Sequence, residues 1–281
     1  MLPTINILNR EVSMYAIMII IGIIVGGTIA IKYFSKFHKD VNKEDLIYAS
    51  IYGVIGLVVG GKILYIVTIL PFLIENFHVL NWGYTIHQIF YGGFVFYGGL
   101  LGAILGIYIY CKQFKIPFNS VISVIAPVVP LVHAFGRIGC LCAGCCYGIE
   151  YHGFGSIIFH NSQYTPNEIP LFPTQIVEAI FNLVIFIVLL LTYKKYLKTY
   201  KTIGLYCILY SVLRFSLEFF RGDVDRGIFF NLATSQWISI LIFIAGIGIF
   251  IYENKRKDKI EKETIKDKEK SKEKIEENNR R

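Results

Sequence analysis

The chain alternates between long apolar runs and short polar segments. Six of the runs are each near the roughly 20 residues that a hydrocarbon core of about 30 Å requires of a spanning helix. They are Met14–Ile31, Leu46–Leu70, Phe90–Tyr110, Thr174–Tyr193, Ile203–Phe220 and Trp237–Tyr252. A seventh run, Val121–Phe135, is shorter and contains two prolines, which membrane helices tolerate where neighbouring groups satisfy the backbone. We therefore predict an all-α integral membrane protein with seven transmembrane helices, of which this short run forms a broken or tilted span.

The distribution of lysine predicts the orientation of these helices. Counted in chain order, with Val121–Phe135 as the fourth, lysines follow the first, third, fifth and seventh runs, whereas the loops after the second, fourth and sixth contain none. Cytoplasmic loops carry the excess of Lys and Arg in membrane proteins, so we predict the N-terminus outside and the C-terminus in the cytoplasm. The net charge of +8 is then a consequence of topology, and we expect no nucleic-acid partner.

Two regions follow from the pattern, a membrane domain at 1–252 and a charged tail at 253–281. The tail has twelve Lys/Arg against nine Asp/Glu and almost no apolar residues, so it cannot bury a core. We predict a cytoplasmic tail that is disordered or a solvated helix. The first run has neither a basic segment directly before it nor a small-residue cleavage site after it, so we expect Met14–Ile31 to be retained.

Several charged residues fall inside the runs or at their outer ends. Arg214, Glu218 and Arg221 are spaced i, i+4, i+7 and would share one face of a helix, and Glu178 lies one turn inside another run. Charge within a membrane is costly and is usually paired and functional, although an ion pair that only joins two spans is the alternative.

The outer arginines suggest a phosphate ligand. Arg137, Arg221 and Arg226 are all expected at the outer face, where a planar guanidinium fits the phosphate of a phospholipid headgroup. The alternative is that these side chains only extend to the membrane interface.

Four cysteines lie between Gly136 and Gly148, in the order C-x-C-x-x-C-C. Three interpretations remain open for Cys140, Cys142, Cys145 and Cys146. They could bind a metal ion, although the second, separated pair of a typical zinc site is missing, or they could form disulfides at an oxidising outer face. The interpretation that we favour from the sequence is that they are small fillers, with no metal bound.

Six motifs, in order along the chain, resemble the bacterial prolipoprotein diacylglyceryl transferases. The motifs are Tyr15 in the first run, Gly60–Lys62, the Y-G-G-L-x-G element at Tyr97–Gly102, F-G-R-I-G at Phe135–Gly139, P-T-Q with its glutamate at Pro173–Glu178, and R-F-x-x-E-F-F-R at Arg214–Arg221. Together they cover nearly the whole chain before the tail.

The resemblance implies a seven-span enzyme of the bacterial cell membrane, with its N-terminus outside and no cofactor. Such an enzyme moves the diacylglyceryl group of phosphatidylglycerol to the lipobox cysteine in the signal peptide of a preprolipoprotein. The resemblance implies that Arg137 and Arg214 hold the phosphate, oriented by Glu178 and Glu218, with Tyr97 in the place of the base. It implies substrate contacts from Tyr15, Gly98, Gly99, Gly139, Cys140, Gly144, Glu178 and Arg221.

The sequence departs from the family at three of its positions. Tyr97 stands where relatives usually have histidine, Cys140 where they have asparagine, and Cys145 where they have glutamate. Tyrosine has a reference pKa of about 10 and is a poor general base at neutral pH. Two alternatives therefore stay open, a catalytically altered or silent lipid-binding member and a membrane thiol oxidoreductase that uses the C-x-x-C pair of Cys142 and Cys145.

The predicted topology can be tested with reporter fusions. A reporter fused after Lys198 should be cytoplasmic, and one fused near Asn161 should be external, because lysine-bearing loops stay inside. Paired alkaline phosphatase and fluorescent-protein fusions at both sites would measure this. The reverse result would overturn the placement of the site at the outer face.

Overall fold

The computed structural model describes residues 3–7, 10–78, 81–160, 162, 165–197, 199–223 and 227–279. Arg226 and the two fusion positions, Asn161 and Lys198, lie outside the described residues. The side chains of residues 258–279 lie outside them as well.

The described residues form nine α-helices. They are α1 (Met14–Lys32), α2 (Lys43–Glu75), α3 (Trp82–Tyr91), α4 (Phe96–Phe114), α5 (Phe118–Ile125), α6 (Val129–Ala143), α7 (Thr174–Thr192), α8 (Lys201–Leu217) and α9 (Thr234–Asn279). Short 3-10 turns at Phe34–Phe37, Ala126–Val128, Tyr193–Tyr196 and Glu218–Phe220 follow α1, α5, α7 and α8. The helix α9 continues without a break from the last apolar run into the charged tail.

Three short antiparallel hairpins complete the described secondary structure. They pair β1 (Thr4–Ile7) with β2 (Arg10–Ser13), β3 (Ile157–Ile158) with β4 (Pro170–Leu171), and β5 (Ile228–Phe229) with β6 (Leu232–Ala233). The fold is therefore helical, as the sequence predicts, with one strand pair before α1 and two between later helices.

Six helical segments in the described residues are long and apolar enough to cross a membrane. They are Met14–Phe37, Lys43–Glu75, Phe118–Ala143, Thr174–Tyr196, Lys201–Phe220 and Thr234–Lys257. The prediction of an integral membrane protein agrees with this finding. A seventh span would have to be α4, which has 19 residues but is not among the six.

The predicted third run, Phe90–Tyr110, is not a single helix, so its predicted start was wrong. Helix α3 ends at Tyr91 and α4 begins at Phe96. The Lys62 ammonium group donates to the carbonyl oxygens of Ile89 at 3.1 Å, Gly92 at 2.7 Å and Gly93 at 3.1 Å. This one side chain satisfies carbonyl groups that the helix end leaves open, and it stabilises the break.

The proline-containing run is interrupted, as predicted. Helix α5 ends at Ile125, a 3-10 turn covers Ala126–Val128, and α6 begins at Val129. Proline has no N–H to donate to the preceding turn, which explains why the helix breaks at Pro127.

The chain divides into two compact units, so the predicted membrane domain at 1–252 has an internal division. The first unit contains residues 1–32 and 122–281, and the second contains Tyr33–Val121. In the first unit α6 packs against α1 and α7, and α8 packs against α7 and α9. Ile185, Leu189, Leu213 and Leu217 form a buried cluster between α7 and α8.

The second unit is organised around close contact between the backbones of α2 and α4. Gly56 and Gly60 of α2 face Gly98 and Gly102 of α4, so both helices use the spacing of four residues that lets membrane helices approach closely. A Cβ atom at Gly98 would lie 2.5 Å from the carbonyl oxygen of Gly60, and one at Gly56 would overlap the carbonyl of Gly102. The observed role of Gly98 is therefore helix packing.

We expect Gly56→Ala to destabilise the protein by about 1–3 kcal/mol, because the new methyl group must displace the backbone of α4. The control is Gly27→Ala in α1, where a Cβ meets nothing within 4 Å. Thermal midpoints of both variants in detergent, measured by loss of the monodisperse peak in size-exclusion chromatography, would compare them. Equal midpoints would contradict the packing described here.

Candidate functional site

The centre of the candidate site is an ion pair between α6 and α7. Arg137 Nη2 lies 3.0 Å from Glu178 Oε1. His133, one turn before Arg137 on α6, places its Nε2 atom 3.7 Å from the same carboxylate oxygen. Among the described residues the Nε atom of Arg137 is buried and has no hydrogen-bond partner. The guanidinium therefore keeps a donor that Glu178 does not use.

Glu178 is only 2% exposed, so its charge depends on this partner. Burying a carboxylate costs several kcal/mol unless a cation and hydrogen bonds compensate. Asn182, one turn later on α7, donates from Nδ2 to the Glu178 carbonyl at 2.8 Å. The ion pair between Arg137 and Glu178 consequently fixes how α6 and α7 pack against each other.

A second ion pair lies at the end of α8. Arg214 Nη1 is 2.6 Å from Glu218 Oε2, as the spacing of four residues predicts, and both side chains are nearly buried. Arg221 does not share their helix face, because α8 ends at Leu217 and Arg221 is extended, with φ −87° and ψ 140°. The expectation of three residues on one face was therefore wrong for Arg221.

Arg221 instead makes a two-point contact with Asp223. Its Nε donates to Oδ1 at 3.1 Å and its Nη2 donates to Oδ2 at 2.6 Å. The fork geometry of guanidinium favours this arrangement with a carboxylate.

Backbone pairing joins Arg221 to the cysteine-rich segment. Ile149 donates its N–H to the Phe220 carbonyl at 2.9 Å, and Gly222 donates to the Tyr147 carbonyl at 3.0 Å. On the other side Phe172 donates to the Ile149 carbonyl at 2.9 Å. The segment that follows the cysteines is therefore held between two neighbouring segments, which places Arg221 beside it.

The turn at the end of α6 brings Cys140 and Cys145 together. Gly144 is left-handed, with φ 69° and ψ 35°. Its N–H bonds to the Leu141 carbonyl at 3.3 Å, and the Cys145 N–H bonds to the Cys140 carbonyl at 3.1 Å. These two bonds define a Schellman motif, in which the residue after the glycine contacts the residue five positions earlier. Gly144 is thus required for the turn.

Cys146 completes a group of three sulfur atoms. The Sγ atoms of Cys140, Cys145 and Cys146 all lie within 4.8 Å of one another. Thr174 Oγ1 donates to the Cys146 carbonyl and Gln175 Nε2 donates to the Cys145 carbonyl, both at 2.8 Å. We call these three residues the thiol cluster. All six cysteines of the chain are free thiols in the structure.

Cys142 is not a member of the thiol cluster. It follows Cys140 by two residues in α6, which turns its side chain by about 200° around the helix axis. The C-x-x-C pair of Cys142 and Cys145, which the sequence offered as a redox pair, is therefore not the pair that the structure brings together.

The thiol cluster lies in a positive electrostatic environment. The pKa of the Cys146 thiol is lowered from its ordinary value, because its contacts with the thiols of Cys140 and Cys145 and the charges of Arg137 and Arg221 favour the thiolate. These effects outweigh burial. The pKa of Cys145 is raised to about 11. Its contact with Cys140 lowers this pKa, but its contact with Cys146 and its burial together raise the pKa by more. The pKa of Cys146 is therefore the lower of these two.

Tyr15 and Gly139 mark the contact between α1 and α6. A Cβ atom at Gly139 would lie 3.0 Å from the Tyr15 Cα atom, so a larger residue would require α1 and α6 to move slightly apart. The Tyr15 hydroxyl interacts electrostatically with Cys140 and Arg137. Tyr15 therefore lies near Cys140 and Arg137, and the substrate contact expected of it stays a prediction.

Tyr97, Gly98 and Gly99 belong to the second unit. Tyr97 lies in the first turn of α4, with its ring 5.9 Å from that of Phe96. A Cβ atom at Gly99 would lie 2.7 Å from Phe94 Cζ. The contacts of both glycines within this unit are packing contacts, and the substrate roles expected for all three residues remain predictions.

Comparison with known proteins agrees with this arrangement. A family described as prolipoprotein diacylglyceryl transferase matches residues 3–252. The chain belongs to the prolipoprotein diacylglyceryl transferase family. One relative, a phosphatidylglycerol–prolipoprotein diacylglyceryl transferase of Clostridium tetani, is 36% identical over 243 residues, which are 86% of this chain and 94% of the relative.

Two further relatives carry similar names. The phosphatidylglycerol–prolipoprotein diacylglyceryl transferase 2 of Clostridium perfringens is 38% identical, over 87% of this chain and 92% of its own length. The enzyme of that name from Rickettsia felis is 34% identical, over 86% of this chain and 93% of its own length. The family resemblance seen in the sequence motifs is thereby confirmed.

Two contributors to this site are absent from the residues that the sequence predicts for it. His133 is four residues from Arg137, and this spacing, which places both on one face of α6, could have identified it. Asp223 follows Arg221 by two residues in R-G-D, and its contact with Arg221 depends on the extended backbone there.

We expect Glu178→Ala to destabilise the protein by about 3–5 kcal/mol, because it leaves the buried Arg137 charge without its partner. The control is Glu150→Ala, which removes an exposed pair with His152 and should cost less than about 1 kcal/mol. Thermal midpoints in detergent would measure both. A Glu178→Ala midpoint equal to that of Glu150→Ala would show that the buried pair is not needed for stability.

Proposed function

We propose that this protein transfers the diacylglyceryl group of phosphatidylglycerol to the lipobox cysteine thiol of preprolipoproteins, forming a thioether. The relatives described above carry that activity in their names. The observation that carries the proposal is the buried guanidinium of Arg137, which has a donor without a partner among the described residues. A phosphate oxygen is a suitable acceptor for such a donor.

Arg137 and Arg214 would act together on the phosphate. Both guanidinium groups interact electrostatically with His133, so both belong to the same part of the first unit. When the acceptor sulfur attacks the glycerol carbon, the bond from that carbon to the phosphate oxygen breaks and its electron pair stays on the oxygen. Fixed cations stabilise this developing charge most strongly in a site from which water is excluded.

The two glutamates would act as positioning residues. Glu178 lies 3.0 Å from Arg137 and Glu218 lies 2.6 Å from Arg214, and both carboxylates are nearly buried. Guanidinium groups held in this way need little reorganisation when the phosphate departs. Substrate contacts are proposed for Tyr15, Gly139, Cys140, Gly144 and Arg221.

The topology that we propose has seven spans, with the N-terminus outside and the C-terminus in the cytoplasm of a bacterial cell. Helix α4 would be the additional span, because it packs along α2, which is long and apolar enough to cross a membrane. The absence of lysine from alternate loops supports the orientation. The site would then face the outer leaflet of the cell membrane, where phosphatidylglycerol and the signal peptides of preprolipoproteins meet.

We expect Arg137→Ala and Arg214→Ala each to lower diacylglyceryl transfer by about 10²–10³-fold, because each removes one donor to the departing phosphate. The control is Arg256→Ala, which removes a half-exposed arginine next to Glu253 and should leave transfer unchanged. Lipidation of a reporter preprolipoprotein, followed by gel mobility in cells depleted of their own transferase, would measure activity. Membrane levels of each variant would be measured alongside, and near wild-type turnover in either arginine variant would exclude that arginine from the phosphate site.

A further inference from the structure

The geometry of the thiol cluster fits a metal ion. Three thiolates around a tetrahedral Zn²⁺, with Zn–S bonds of about 2.3 Å, lie about 3.8 Å from one another. The sulfur atoms of Cys140, Cys145 and Cys146 are within 4.8 Å of one another, so small side-chain rotations would bring them to that distance. Three protein ligands leave the fourth position open, as in catalytic zinc sites.

The backbone of the thiol cluster is strained and is held by hydrogen bonds from α7, which simple filler residues would not require. Cys146 has a positive φ of 58°, a conformation that costs a non-glycine residue on the order of 1–3 kcal/mol and concentrates at functional sites. Its carbonyl and that of Cys145 are both held by hydrogen bonds from α7. The protein therefore stabilises a strained cysteine where glycine would fit without strain.

The charges also agree with a bound divalent cation. Three thiolates and one Zn²⁺ leave a net charge of about −1. Arg137 and Arg221 both interact electrostatically with Cys146 and offset this charge. Thiolate ligands favour soft ions such as Zn²⁺ over the hard ions Mg²⁺ and Ca²⁺.

The proposed transfer also needs a way to deprotonate the acceptor thiol. Three carboxylates at the site that the structure describes, those of Glu178, Glu218 and Asp223, are each paired with an arginine and are not available as free bases. A thiol that coordinates Zn²⁺ loses its proton at neutral pH without a protein base.

We propose that Cys140, Cys145 and Cys146 bind one Zn²⁺ ion and that its open position takes the acceptor's cysteine sulfur. The role in transfer rests on the function proposed above, whereas the metal site does not. The thiol proton passes to solvent when the sulfur coordinates. The sulfur then forms its bond to the glycerol carbon as the bond from that carbon to oxygen breaks, with the electron pair leaving on the phosphate.

Metal analysis of the purified full-length protein tests the site directly. We expect about one zinc per chain in the wild type, and loss of most of it in Cys145→Ser and Cys146→Ser. The matched control is Cys142→Ser, which changes a cysteine of the same segment outside the thiol cluster and should keep its zinc. Elemental analysis, with protein quantified by amino-acid analysis, gives the ratio.

Cobalt substitution tests the open position. Co²⁺ in the site should give sulfur-to-metal charge-transfer absorption in wild type and in Cys142→Ser. Adding a lipobox peptide with a free cysteine should strengthen that absorption, and the same peptide with serine should not. No change with the cysteine peptide would overturn the assignment of the open position.

The outcomes separate this proposal from the proposed function. A wild type with no zinc and no uptake of Co²⁺, or a thiol count that rises on reduction because a disulfide is present, would overturn the metal site even if transfer were normal. Stoichiometric zinc in a protein that never lipidates a reporter would leave the metal site in place and refute the transferase. Full transfer after chelation of all metal would refute the role of zinc in the reaction.

Discussion

The ion pair between Arg137 and Glu178 is the interaction on which the site depends. A membrane protein cannot bury either charge alone, so the pair forms only where α6 and α7 pack in the observed register. Glu178 leaves one buried donor of Arg137 without a partner among the described residues. The same contact thus stabilises the first unit and leaves this donor for the phosphate that we propose.

The second constraint is the left-handed turn at Gly144. Because α6 ends in a Schellman motif, the chain reverses over its own last turn, and Cys145 returns to Cys140. Hydrogen bonds from Thr174 and Gln175 at the start of α7 then hold the carbonyls of the next residues. The helix that supplies Glu178 therefore also positions the thiol cluster. The phosphate site and the zinc site that we propose therefore both depend on α6 and α7.

Close backbone packing has a comparable role in the second unit. Glycines on α2 and α4 replace side chains along the contact, so the two helices are held by van der Waals packing of their backbones. Lys62 adds a strongly polar contact, because its three bonds to carbonyl groups hold the segment between α3 and α4. The break between α3 and α4 is therefore fixed, and with it the position of Tyr97 at the start of α4 within this unit.

Local spacing determined much of this protein. Apolar runs of membrane length predict the helical class, and proline predicts the break before α6. A separation of four residues predicts the Arg214–Glu218 pair. Each of these features depends only on neighbouring positions in the sequence. The pairing of Arg137 with Glu178 joins residues 41 positions apart, and only the packing of two helices decides it. The start of α4 likewise depends on Lys62 from another helix. The three sulfur atoms come together because the turn at Gly144 and hydrogen bonds from α7 act together. The spacing of the cysteines in the sequence does not predict either contribution.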